Sequence, residues 1–311
     1  FTLSYIAVDI GATNIRVATG SSDGLHEKRS ELTETGKGAD GVSQQIIRLI
    51  GDVKDGNPES IGIGSIGPID LETGKITNTP NYPFNYIPVT QPLEDHFGIK
   101  TKLVNDCAAA VLGEQRFGAG KGYSNIVYVT ISTGIGGGAI VDNHLLQGKD
   151  GNAPEIGHIT IDAYSDIKCG CGSYGHWEAY ASGSNIPRFA LKLMKASWRK
   201  SLIANLISGD LNQLTSKTIY DAAKQSDEVA LGVVTEIGKI NAAGFANITN
   251  LFDPEIITVG GAIALNNPRL VLDPIRENID KHLINRKPEI KVTPLGGDAV
   301  LIGALALAMR V

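Results

Sequence analysis

The sequence predicts an α/β protein built in two halves, and three observations carry that prediction. An apolar run, SYIAVDI, is followed by the tight polar turn GATN and a second apolar run, IRVATGS. A comparable series starts at SNIVYVTIST and continues through GGGAIVDNHLLQG, which has strand and hairpin character. A third buried-strand pattern, PEIITVGGAI, follows a long helical stretch. Short apolar runs that end in glycine and alternate with helical stretches are what a sheet covered by helices requires.

The remaining elements follow in order. After the polar turn Ser22-Asp23-Gly24 comes a helix whose apolar face is Val42, Ile46, Ile47, Leu49 and Ile50,. ESIGIGSIG reads as a buried strand ending before Pro68-Ile69-Asp70, and TKLVND as another. CAAAVLGEQRFG opens just after Asp106, with helical composition and a glycine stop at Gly118,. Helical character runs from about Trp177 to Phe252, broken by polar turns, and DAVLIGALALAMRV closes the chain with helical period and a small-residue face. No Pro/Ser-rich linker separates the halves, so the boundary is expected to be a crossover near Asn105 to Cys107.

Composition narrows the function classes. The 311 residues suffice for one large or two ordinary α/β domains,. Net charge is −5 without a basic stripe, which argues against nucleic acid as a partner,. The longest apolar run noted, Ala299 to Met309, has the length of a buried helix, so no membrane span is expected,. The start lacks the basic flank and cleavage site of a signal peptide, which makes cytoplasm the expected location. It opens on Phe1, so a few upstream residues are expected. Three cysteines, two of them Cys169 and Cys171, do not suggest a secreted disulfide framework,.

The glycines are the informative excess. GIGSIG and GIGGGA both fit the dinucleotide fingerprint by letter, but neither leads into a helix that could hold a pyrophosphate,. None of the five Gly-Lys pairs is followed by Ser or Thr, so a Walker A loop is absent. What remains is a hairpin type of phosphate site. In Asp9-Ile10-Gly11-Ala12-Thr13-Asn14, Gly11 lets backbone approach a phosphate while Thr13 and Asn14 offer donors,. Asp9 can hold magnesium through water. Ser132-Thr133-Gly134 with the glycines after it offers a second such hairpin, and Gly260-Gly261 a third approach.

The ordered set DIGATN, ND, ISTGIGGGAI, PEIGHI, CGCGSYGHWE and TVGGAI resembles the ROK family of sugar kinases, in the actin-like ATPase superfamily. The resemblance runs from Asp9 to the final helix. It implies two RNase H-like α/β domains facing a central cleft, 1–106 plus 298–311 and 107–297. It implies ATP with magnesium as phosphoryl donor, bound at Asp9, Gly11, Thr13, Asn14, Thr133, Gly134, Gly260 and Gly261. A hexose, such as glucose or mannose, is then phosphorylated at its 6-hydroxyl.

Asp106 is the implied base, because a carboxylate at a strand end can accept the proton of the attacking hydroxyl. A helix N-cap is the plainer role for the same residue. Gly67, Thr79, Asn105, Asp106, Glu155, His158 and Glu178 are the implied sugar contacts, with the loop from Gly67 to Asn85 setting room at the sugar 2-position. The usual family pattern CxCGxxGCxE is altered here, since His176 stands where a third cysteine is expected. A structural zinc held by His158, Cys169, Cys171 and His176 remains chemically sound. A homodimer is common in the family. The alternatives are a kinase of N-acetylglucosamine or N-acetylmannosamine and, less favoured, a sugar-responsive repressor. A repressor would carry a DNA-binding domain before the first turn, and here Asp9 follows only eight residues.

Overall fold

The computed structural model describes residues 3–54, 56–79 and 82–310. Pro80 and Asn81, inside the expected sugar loop, and Val311, at the end of the closing segment, lie outside them.

Strands β1 (Tyr5–Ile10) and β2 (Asn14–Ser21) form the predicted antiparallel hairpin, with Asp9 directly opposite Arg16. β3 (Gly24–Leu32) then pairs antiparallel with β2. Its side chains are mostly exposed, so GLHEKRSEL carries no apolar alternation and the sequence does not announce it,. Helix α1 (Ala39–Val53) buries Val42, Ile46, Leu49 and Ile50 of the expected face, while Ile47 is half-buried against the same core. β4 (Ser60–Ser65) is the buried strand in ESIGIGSIG. Three short strands, β5 (Ile69–Asp70), β6 (Lys75–Thr77) and β7 (Tyr86–Pro88), make a small antiparallel sheet too brief to read from periodicity. Helix α2 (Thr90–Phe97), strand β8 (Lys100–Asn105) and helix α3 (Asp106–Phe117) follow. The first sheet has order β3-β2-β1-β4-β8, with β1, β4 and β8 parallel.

Next come β9 (Ile126–Ile131), β10 (Ile135–Val141) and β11 (His144–Leu145). The helices α4 (Glu178–Ala181), α5 (Ile186–Met194), α6 (Leu202–Leu206), α7 (Ser216–Lys224) and α8 (Glu228–Phe252) resolve the long helical stretch. The chain ends with β12 (Ile256–Gly260), α9 (Ala262–Asn266), α10 (Pro268–Asn278), β13 (Glu289–Val292) and α11 (Ala299–Ala308). The second sheet has order β11-β10-β9-β12-β13. Neither false dinucleotide fingerprint leads into a helix: the first runs into β5, and the second lies in β10.

The chain forms two compact units. The first comprises Phe1–Tyr128, Gly138–Pro154 and Thr293–Val311, the second Val129–Gly137 and Glu155–Val292. In the second unit, α8 has 25 residues and is long and apolar enough to cross a membrane by composition, although the sequence suggests no such span. It is instead a core helix, packed against α7 and α10 with Val233, Val234, Ile237 and Phe245 buried.

In the first unit, α11 lies on the sheet because its floor is small. Ala7 and Ala18 meet Leu301, Ala304 and Leu305. A methyl on Gly303 would stand 1.8 Å from the Ala109 carbonyl of α3, so only glycine permits that crossing,.

Glu114 of α3 is fully buried beneath the same segment. One carboxyl oxygen accepts from the Thr293 hydroxyl and the other from the Ala119 N–H at 2.9 Å. Neither partner is a cation, and burial pushes the Glu114 pKa above its ordinary value, against the pull of the two hydrogen bonds,. An acid whose folded pKa is raised stabilises the fold fully below its unfolded pKa, and that contribution is lost as pH rises through the folded value. Glu114→Gln, neutral throughout, is therefore expected to unfold at a higher temperature than the parent at about pH 8 and to lose that advantage at about pH 4. Thermal unfolding at both values checks this. An equal shift at both would mean that the ionisation of Glu114 is not involved.

Candidate active site

The first of the glycine turns is three residues long, Gly11 to Thr13, between β1 and β2. The Gly11 N–H donates to the Asn14 carbonyl at 2.9 Å, and the Gly11 carbonyl accepts from the Tyr82 hydroxyl at 2.5 Å. Thr13 and Asn14 are exposed at the tip. Asp9 lies one residue inside β1 and is only 6 % exposed. Its Oδ2 accepts from Arg16 Nε at 2.7 Å. Burial pushes the Asp9 pKa up, and Arg16 pulls against that rise,.

The same unit holds Gly67, Thr79, Asn105 and Asp106. β8 ends at Asn105 and α3 begins at Asp106 with no residue between. The N-cap is Asn105, whose Oδ1 accepts from the Cys107 N–H at 3.0 Å, rather than Asp106. Asp106 occupies the first turn, where its Oδ1 accepts from the same N–H at 2.7 Å and the helix dipole favours negative charge,. Gly67 is beside them: a methyl there would stand 3.3 Å from Asn105 Nδ2 and 3.5 Å from Asn152 Oδ1. Asn152 clasps the Ile69 backbone twice, accepting from its N–H at 2.8 Å and donating to its carbonyl at 2.9 Å. Sequence reasoning missed Asn152, and nothing in GNAP signals it. Thr79 is buried, and its carbonyl receives the Tyr82 N–H at 3.4 Å.

The second unit holds the other predicted residues. Thr133 and Gly134 form the turn between β9 and β10, closed by the Ser132 N–H donating to the Gly134 carbonyl at 2.9 Å. Gly260 ends β12, and Gly261 has φ +85°, with no room for a side chain against the Ile131 carbonyl,. Two adjacent cavities of about 300 and 500 Å³ open here and share Ser216, Ala262 and Ile263. Thr133 lines the first, while Lys217 and Asn266 line the second. Ser216 and Lys217, at the start of α7, carry no sequence signal. A larger cavity of about 700 Å³, along β8 in the first unit, contains none of the predicted residues.

Glu178 follows Trp177, which is fully buried and donates from Nε1 to Asn241 Oδ1 at 2.8 Å. That anchor fixes the carboxylate. Glu178 Oε2 accepts from the Ile135 N–H at 2.9 Å, and Oε1 lies 3.7 Å from Cys169 Sγ. Glu155 precedes the short turn that carries His158, whose Nε2 is 4.0 Å from Glu155 Oε2.

The other face of His158 belongs to a donor cluster. His158, Cys169, Cys171 and His176 each offer one ligand atom, all within 4.8 Å of one another. Cys169 Sγ lies 3.8 Å from His158 Nδ1, and Cys171 Sγ lies 3.3 Å from His176 Nδ1. These bracket the sulfur–nitrogen edge of about 3.6 Å that zinc bond lengths give in a tetrahedron. Without a cation, burial pushes the Cys169 thiol up to about 11, so its sulfur holds a proton that a bound metal would have to displace,. These four residues fit zinc.

Two α/β units on five-stranded mixed sheets, with glycine turns after their apolar strands, define the actin-like ATPase fold. Residues 5–311 match the model of the ROK family. The chain is 37 % identical over 307 residues to a glucokinase of Pyrobaculum calidifontis, covering 98 % of this chain and 95 % of that one. It is 36 % identical to a glucokinase of Thermotoga maritima, covering 98 % and 97 %. The crystal structure of a ROK family glucokinase from Streptomyces griseus, in complex with glucose and AMPPNP, superposes with a TM-score of 0.81. It is 33 % identical and covers 99 % of this chain and all of that one. The chain belongs to the ROK family.

Proposed function

We propose that the chain is an ATP-dependent glucokinase that transfers the γ-phosphoryl group to the 6-hydroxyl of glucose. The observation that carries this reading is the Asn105-Asp106 pair at the junction of β8 and α3, with Gly67 and Asn152 beside it. An acceptor-only carboxylate there takes the hydroxyl proton while O6 attacks the γ-phosphorus and the bond to ADP breaks. Asn105 holds the helix start in place through its cap, so the carboxylate is positioned before substrate arrives,. Gly67, Thr79, Asn105, Glu155, His158 and Glu178 are the residues proposed to contact sugar hydroxyls. Polar groups left unpaired by a wrong epimer are costly, which gives such contacts their selectivity.

For the nucleotide, Gly11, Thr13, Asn14, Thr133, Gly134, Gly260 and Gly261 receive phosphates. Asp9 holds the hydrated magnesium, which neutralises charge on the triphosphate when bound. The cavities bordered by Ala262 and Ile263 receive the base and ribose. Zinc on His158, Cys169, Cys171 and His176 is structural. ATP as donor places the protein in the cytoplasm, and a homodimer is the assembly expected.

Coupled ADP release against glucose, mannose, N-acetylglucosamine and N-acetylmannosamine tests the reading. Glucose is expected to exceed the 2-acetamido sugars in kcat/KM by about 10² or more, the scale on which a shaped polar pocket discriminates. Turnover on 2-acetamido sugars without turnover on glucose would reassign the substrate. Sugar binding with no ADP release from any of the four would favour a sensor.

A further inference from the structure

Asp9 and Arg16 are direct cross-strand partners in the β1–β2 hairpin, so both side chains lie on one face of the sheet,. Two residues further along that face are Ala7 and Ala18, the small residues on which α11 rests,. Small residues let α11 lie close, and the two residues just before it then meet the longer pair. Arg16 Nη1 donates to the Gly297 carbonyl at 2.7 Å and to Asp298 Oδ1 at 3.0 Å. Asp298 also accepts from Lys28 of β3, at 2.8 Å on Oδ2. Asp9, Arg16, Asp298 and Lys28 thus form a row of alternating charge.

Within that row the grip on Asp9 is one-sided. Arg16 Nε and Nη2 both reach Oδ2, and Oδ1 receives no hydrogen bond among the described residues. We propose that Arg16 is a positioning residue of the phosphate turn: it holds Asp9 by Oδ2, is braced by Asp298, and thereby presents Oδ1 to the hydrated cation of the nucleotide. This rests on the assignment of Asp9 to magnesium made above. A guanidinium suits the task because its planar fork can bind two carboxylates at once in fixed directions, which an ammonium cannot. Asp298, 282 positions from Arg16 in the chain, makes the start of α11 part of the turn's geometry.

The experiment measures Mg²⁺–AMPPNP affinity by calorimetry, and the magnesium dependence of phosphorylation, for Arg16→Gln, Arg16→Lys and Asp298→Asn. Loss of a residue that orients a metal-holding carboxylate typically weakens metal affinity by about 10- to 100-fold. Arg16→Gln is expected to fall in that range, with the change in magnesium requirement exceeding any change in hexose KM. Arg16→Lys should recover part of the loss, and Asp298→Asn should shift it the same way by less. Asp298→Asn also serves if Arg16→Gln does not fold. Denaturant unfolding of nucleotide-free protein, with each change repeated in an Asp9→Asn background, supplies the other arm. A stability loss for Arg16→Gln that shrinks in that background supports a grip on Asp9. The same stability loss in both backgrounds, with unaltered magnesium affinity, would make Arg16 only a strut between hairpin and helix. The calorimetry and unfolding need no turnover, so they stand even if the sugar assignment fails.

Discussion

Replacing Asp106 with asparagine is expected to lower hexose phosphorylation by a factor of about 10² to 10⁴, the usual weight of general-base catalysis. The substitution is chosen for what it leaves intact. Asparagine keeps a carbonyl oxygen to accept the Cys107 N–H, now held at 2.7 Å by Asp106 Oδ1, and Asn105 remains the cap. The start of α3 should therefore survive, and with it the packing of Ala108, Ala109 and Val111, all at most 1 % exposed. What is lost is basicity. Glucose binding by calorimetry should weaken far less than turnover, because Asn can still hydrogen-bond to the sugar. Turnover within a few fold of the parent would remove Asp106 from the role of base.

The parts of the fold that were legible are those in which local pattern and burial agree. SYIAVDI and IRVATGS became β1 and β2 within a residue or two, because buried strands on both sides of a short turn leave little else for the chain to do,. α3 ended at its glycine, and α11 kept its small-residue face. β3 was missed because an exposed edge strand has no buried face to write an alternation into its sequence. β5 to β7 were missed because two or three residues are shorter than any period. At the candidate site, turn residues such as Gly11 and Gly134 could be found because tight backbone needs glycine or a short polar side chain. Asn152, Ser216 and the partnership of Arg16 with Asp298 could not. Each depends on segments that the fold, not the sequence, brings together.

The donor cluster of His158, Cys169, Cys171 and His176 gives the second large expected effect: about one zinc per chain, the stoichiometry of a single four-ligand site,. Removal of a metal held there should reach the proposed sugar contacts, Glu178 and Glu155, by short routes. Cys169 Sγ is 3.7 Å from Glu178 Oε1, and the other oxygen of Glu178 holds the Ile135 N–H at the start of β10. His158 turns its Nε2 toward Glu155 while its Nδ1 faces Cys169. Zinc on Nδ1 would thus fix the ring and leave Nε2 for a hydroxyl. The rest of the second unit does not hang on this loop. Trp177 packs edge-on against Phe245 of α8, with ring centroids 5.6 Å apart, and the Cys169 backbone is already paired with Ser173. Chelation is therefore expected to weaken glucose binding by about 10- to 100-fold, on the scale of lost supporting contacts, well before global unfolding. Cys171→Ser, at an exposed position, should do the same with little effect on folding. Elemental analysis of protein prepared without a metal-affinity tag, paired with calorimetry before and after chelation, decides it. Sub-stoichiometric zinc that added metal cannot restore would refute the site, and unchanged glucose affinity in zinc-free protein would refute its link to the sugar.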